Sequence, residues 1–177
     1  MAKGFRIITA VLTVSFLASL LCYCFLRTPI LLTLTITSGV FTYHFAMRLA
    51  VGLIINAVFH NDIRYELKWF RPHRFEKKLY SFLKVKRWKE HIPTYMPEAF
   101  SVERGLIYIA KATCQAELVH EIIIALSFAP MLLAIPFGDF FVFASTSLAA
   151  ALVDTVFVII QRYNRPRLVK IISKTKK

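Results

Sequence analysis

The chain has 177 residues, of which 57% are hydrophobic, and a formal net charge of +13. That apolar content, with a positive mean hydropathy, excludes an ordinary soluble domain. The charge by itself suggests nucleic acid, but its placement argues against that partner. Eleven Lys/Arg lie between Asp62 and Arg104 and seven follow Gln161. Each block abuts a hydrophobic run, where anionic lipid head groups or phosphorylated substrates are the nearer partners.

About 20 apolar residues cross a hydrocarbon core, and four segments reach that length. The first covers residues 7–26. It is longer than a signal-peptide core and has no small-residue cleavage site after it, so it reads as a retained helix. The second covers residues 31–58 and carries Gly39, His44 and Arg48; its excess length predicts tilt or an unwound end. A basic segment, residues 60–113, follows. Within it Phe75, Leu79, Phe82 and Leu83 recur at helical spacing between cations, the pattern of an amphipathic helix lying in the membrane interface. Pro93 and Pro97 break the chain after it. The third and fourth spans cover residues 117–137 and 140–160. Pro130 and Pro136 kink the third, and Gly138-Asp139 alone separates the pair, which predicts a tight antiparallel hairpin. A basic tail, residues 162–177, ends the chain.

The expected fold is therefore a single all-α integral membrane domain over residues 1–177: four transmembrane helices plus an amphipathic cytoplasmic interfacial helix. Lys/Arg asymmetry across the short loops places both termini and the long loop in the cytoplasm of a multi-pass cell-membrane protein.

Ionisable groups inside apolar runs carry the functional signal, because burying them in lipid is costly. Arg48 and Asp154 form a possible intramembrane pair that neutralises itself across the bundle; His44, one turn from Arg48, shares its face. A structural role for that pair and a path for an ion or small solute are both open. Glu117 and His120, at i and i+3, share a face of the third helix near its cytoplasmic start. A carboxylate that accepts from one imidazole nitrogen leaves the other free as a base. An interfacial polar patch is the plain alternative. Glu121 adds a further carboxylate.

Several chemistries have no matching motif. No His is followed by Asp five positions on, and Gly-x-Ser-x-Gly, Walker and Gly-x-Gly-x-x-Gly patterns are missing. The five His lack zinc-ligand spacing, and Cys22, Cys24 and Cys114 form neither a metal site nor a disulfide framework. No metal and no cofactor is expected. No internal repeat suggests a transporter built from duplicated halves.

Five blocks together resemble one family. They are Trp69-Phe70-Arg71-Pro72, Leu79-Tyr80, Val85-Lys86-Arg87-Trp88-Lys89 before Ile92-Pro93, Ala116-Glu117-Leu118-Val119-His120, and Gln161-Arg162-Tyr163-Asn164-Arg165-Pro166-Arg167-Leu168. Their order and spacing over residues 59–168 are similar to the glycosyl-4,4'-diaponeurosporenoate acyltransferases, which acylate the sugar of a glycosylated carotenoid acid. The first two helices match that family only in hydrophobicity. The resembled family has an aromatic residue after the histidine, whereas Glu121 stands here, a change that bears on the acceptor.

The resemblance implies a membrane acyltransferase. It would move a fatty acyl group from an activated donor, acyl-CoA or acyl carrier protein, to a hydroxyl of a lipid or glycolipid. His120 would be the base and Glu117 its orienting carboxylate. Arg162, Asn164 and Arg165 would bind substrate or the developing oxyanion, and Lys86, Trp88 and Lys89 the donor's phosphates. The partners implied are these substrates and membrane lipids, with the oligomeric state open. A lysophospholipid acyltransferase and a non-catalytic membrane recruitment subunit are the alternatives.

Overall fold

The computed structural model describes residues 2–92 and 100–175; Pro93 and Pro97 lie outside the described residues. All regular structure in it is helical. Helix α1 (Ala2–Leu26) and helix α2 (Pro29–Phe59) are joined by a two-residue turn. Thr28 caps α2 by accepting from the Leu31 N–H, and Pro29 stands in the first turn, where its missing N–H costs nothing. The two helices pack closely. Phe5 stacks on Phe45 at 4.9 Å, the Ser19 and Ser38 hydroxyls are 3.0 Å apart, and Phe16 lies over Gly39, where a side chain would meet its ring.

Beyond α2 the chain turns through His60 and Asn61, both with left-handed φ. Gln115 fixes this turn by accepting from the Asn61 N–H at 2.6 Å and donating to Asn56 at 3.2 Å. The basic segment then lies against the helices. It contains a 3-10 turn at Lys68–Phe70, helix α3 (Glu76–Phe82) and helix α4 (Val85–Trp88). The expected interfacial helix is thus only seven residues long, because Lys84 adopts φ of 50° and ends it. Its apolar side is nonetheless open: Phe82 is 82% exposed, and Phe75, just before α3, is 63% exposed.

Helix α5 (Leu106–Leu126) and helix α7 (Phe140–Thr175) form the second hairpin. Between them the chain tightens into a 3-10 segment, Ala129–Leu133, and the short helix α6 (Ala134–Phe137), then reverses at Gly138 and Asp139 with φ of 75° and 52°. The prolines interrupt the third span instead of bending one continuous helix.

Lys3–Leu26, Pro29–Phe59, Leu106–Phe137 and Phe140–Thr175 are long and apolar enough to cross a membrane. Helices α5 and α7 also extend past their apolar stretches. At about 1.5 Å per residue, 36-residue α7 far exceeds a hydrocarbon core of about 30 Å. Its last third pairs with the first half of α5 through Arg165 and Thr113, and the segment from Asn61 to His91 packs against this end of the pair. Ile63, Phe70 and Cys114 form a small buried cluster at this level. Deeper in the bundle, Met47 and Val51 of α2 meet Ile123 of α5.

Candidate active site

Two groups of charged side chains lie on α5, one turn apart. The outer group centres on Glu117, which is fully buried. Its carboxylate accepts from Arg162 at 2.6 Å and from Arg165. Arg162 also donates to Glu76 Oε1 from Nε at 3.0 Å and Nη2 at 2.6 Å. Glu76, likewise buried, accepts from the Tyr80 hydroxyl at 2.8 Å. That bond and burial push the Tyr80 phenol well above its ordinary range, burial being the larger cause.

The remaining arginine donors go to the backbone. Arg162 reaches the Trp69 carbonyl at 3.2 Å and the Arg71 carbonyl at 3.1 Å. Arg165 reaches the Phe70 carbonyl at 3.3 Å, lies 4.9 Å from the Phe70 ring, and donates to the Thr113 hydroxyl and carbonyl, each at 3.0 Å. Three consecutive carbonyls of the basic segment are therefore held by two arginines of α7.

A guanidinium has five N–H donors, and those of Arg162 are all directed at protein acceptors. Two arginines balance two carboxylates, so the group is neutral and internally satisfied. In this fold Arg162 and Arg165, expected to bind substrate or an oxyanion, clamp residues 69–76 onto the bundle. Carbonyl acceptors carry no sequence signal, which is why the clamp was not foreseen.

The inner group is built differently. Asp154 of α7, 2% exposed, accepts from Arg48 of α2 at 2.5 Å and lies 2.8 Å from Nδ1 of His120. Arg48 also donates to the carbonyls of His44 and Ala150. The lone Arg and the lone Asp of the apolar runs thus meet, as their isolation in hydrocarbon demands. The Glu117 oxygens face arginines, and the carboxylate beside His120 Nδ1 is that of Asp154. A neutral imidazole that donates from Nδ1 to a carboxylate keeps its Nε2 lone pair. The ring stacks on Phe157 at 4.7 Å and 10°, and the side chain is 22% exposed.

The remaining expected residues line the outer surface. Lys89 donates to the Asn164 side-chain oxygen at 3.1 Å and sits 5.4 Å from the Tyr163 ring centroid. Trp88 donates its indole N–H to the Leu83 carbonyl at 2.8 Å, and Lys86 is exposed. Asn164 and Lys89 are therefore brought together, while among the described residues neither Lys86 nor Trp88 hydrogen-bonds to them. Glu121 accepts from the Trp69 indole N–H at 2.9 Å. Cys114 is buried and free, and among the described residues no cluster of three His, Cys, Asp or Glu could hold a metal ion.

No curated protein and no solved structure matches the chain. The family model described as glycosyl-4,4'-diaponeurosporenoate acyltransferase matches residues 66–174, a stretch that contains every residue of the outer group together with His120 and Asp154. The chain belongs to that family.

Proposed function

From membership of this acyltransferase family, we propose that the chain transfers a fatty acyl group to a hydroxyl of a glycosylated lipid at the membrane surface. The family's description names a glycosyl carotenoid acid as acceptor. The donor in this reading is a thioester, acyl-CoA or acyl carrier protein. The observation that carries the reading is the Asp154–His120 pair, 2.8 Å apart, in which the second imidazole nitrogen has no hydrogen-bond partner among the described residues.

In this mechanism His120 Nε2 takes the acceptor hydroxyl proton as the oxygen attacks the thioester carbonyl. Asp154, anchored by Arg48, holds the Nδ1–H tautomer and stabilises the imidazolium. When the tetrahedral intermediate collapses, the C–S bond breaks and the imidazolium returns the proton to the thiolate. The products are an ester and a free thiol. Lys86 and Lys89 keep N–H donors available for the donor's phosphates, and Asn164 fixes Lys89. Arg162, Arg165 and Glu117 act as positioning residues that hold the segment after Trp69 against α5. The basic face and both termini are cytoplasmic in this reading, where such donors are made.

Lipid mass spectrometry tests it, on membranes from cells expressing the wild type, His120→Ala or no protein and supplied with a glycolipid acceptor. The expected result is a lipid one acyl group heavier than the acceptor, present only with the wild type. The same lipid at equal abundance with His120→Ala removes the histidine from the chemistry and favours a recruitment role. A gain confined to lysophospholipids overturns the glycolipid acceptor.

A further inference from the structure

Beside the clamp lies a cavity of about 280 Å³ that the mechanism leaves unused. It is lined by Trp69, His73, Phe75, Glu76, Glu121 and Arg162. Its size is at the lower end for small-molecule sites and suits one compact head group, not an acyl chain. Two properties of the lining select the chemistry of that group.

The first is the hydrogen-bonding sense. Arg162 has committed all five donors elsewhere, so it brings charge balance but no free N–H. Glu76 and Glu121 are acceptors, and each carboxylate has about four lone-pair positions. Glu121 spends one on the Trp69 indole; Glu76 spends its share on Arg162 and Tyr80. Apart from His73, whose imidazole offers one N–H, the polar wall asks its ligand for donors, and the Glu121 carboxylate disfavours a phosphate. The second is the presence of flat apolar faces. Trp69 is 64% exposed and Phe75 63% exposed; Trp69 is fixed by its bond to Glu121, and His73 stacks on Phe75 at 5.7 Å.

A hexopyranose answers both demands: its hydroxyls are donors, and its C–H face packs on an aromatic ring. We propose that this cavity is the binding subsite for a neutral hexosyl group of the acceptor, with Trp69 as the platform and Glu121 as the residue that sets sugar specificity. The assignment rests on the acyl-transfer reading for its substrate class but on the cavity for its location. Glu121 follows His120 on α5, so a sugar held there sits beside the helix turn that carries the base. The clamp acquires a purpose as well, because Arg162 grips the Trp69 carbonyl and thereby sets where the indole stands.

Two measurements on the full chain, in phosphatidylglycerol nanodiscs, test the assignment. In the first, hexyl β-D-glucoside is titrated by calorimetry against wild type, Glu121→Gln and Trp69→Phe, with hexyl phosphocholine as the chain-matched control. Gln keeps an acceptor for the indole but removes the charge, so Glu121→Gln weakens glucoside binding about tenfold, the difference between a charge-assisted and a neutral hydrogen bond. Trp69→Phe also weakens it, and phosphocholine does not compete. In the second, KM is measured for a glycosylated lipid acceptor and for the same lipid alcohol without its sugar. Both variants raise KM for the former and leave the latter and the donor KM unchanged.

Equal binding of glucoside by all three proteins, or displacement by phosphocholine, overturns the sugar subsite. Acyl transfer with an unchanged glycolipid KM in both variants also overturns the subsite and leaves the transfer reading standing. Glucoside binding that depends on Glu121 and Trp69, in a protein that acylates nothing, supports the subsite and overturns the transfer reading.

Discussion

Replacing Asp154 with Asn tests the catalytic geometry most directly. Arg48 donates to Asp154 Oδ2, and His120 Nδ1 faces Oδ1. An amide has one acceptor end and one donor end, and Arg48, a donor only, claims the acceptor end. The Asn NH₂ is then turned to Nδ1 of His120, which must accept, so the imidazole proton moves to Nε2. The ring stays in position but loses the lone pair that takes the hydroxyl proton. A positioned general base contributes about 10²–10⁴ in rate, equivalent to about 3–5 kcal/mol of barrier at about 1.4 kcal/mol per tenfold. Turnover of a radiolabelled acyl thioester by reconstituted Asp154→Asn therefore falls by about that factor, with substrate KM little changed. His120→Ala combined with Asp154→Asn is no worse than His120→Ala alone, because the two residues act as one unit. Nitrogen NMR of labelled histidine finds the His120 proton on Nδ1 in wild type and on Nε2 in the variant. A folded Asp154→Asn protein with kcat within about threefold of wild type, well short of a general base's contribution, refutes the reasoning. So does a wild-type proton on Nε2.

Glu117→Gln leaves the buried Arg165 and the partly buried Arg162 facing a neutral amide, and losing one partner of a buried ion pair costs about 3–5 kcal/mol; the thermal midpoint of the purified protein falls sharply, and so does its accumulation in membranes. Gly39→Val drives a side chain into the Phe16 ring, 3.0 Å from the position of a Cβ, and costs about 1–3 kcal/mol by overpacking; adding Phe16→Ala recovers most of the lost thermal midpoint. Folding raises the Tyr80 pKa through burial and its bond to Glu76, so this contribution to stability is present below the ordinary tyrosine range, about pH 10, and is lost as pH climbs through the folded value. Wild type and Tyr80→Phe accordingly give equal tyrosinate absorbance at about pH 11, one unit past that ordinary value, and a larger signal from wild type contradicts the burial.

The four spans were legible because uncharged apolar runs of that length have one stable home. The meeting of Arg48 and Asp154 was legible for a related reason: two isolated opposite charges in apolar helices have little else to pair with. The ends of α5 and α7 were not. Each helix continues through polar sequence, α5 from Leu106 and α7 to Thr175, because Glu117, Arg162, Arg165 and Thr113 bond across the pair and stabilise turns that hydropathy ends early. The partner of His120 was misread for the opposite reason. The local spacing of Glu117 and His120 is visible in one dimension, whereas the true partner lies 34 residues away on another helix. Loop-to-helix bonds through the carbonyls of residues 69–71 leave no mark in side-chain patterns at all.

The contrast between the two charged groups on α5 locates the chemistry. Glu117 gives both oxygens to arginines, and all five donors of Arg162 are spent on protein acceptors, so neither Glu117 nor Arg162 can take up a new partner without breaking an ion pair. The group one turn deeper is saturated on one side only. Asp154 is bonded to Arg48 and lies beside Nδ1 of His120, yet the far nitrogen of that imidazole has no partner among the described residues and the side chain is a fifth exposed. A fully satisfied network is a stable support, and a network with one free basic atom at its end is a reactive one. Placing the second a single helical turn from the first lets the arginine clamp hold residues 69–76, with their aromatic and acidic side chains, near His120, so in the proposed mechanism the clamp supports the base without competing for its proton.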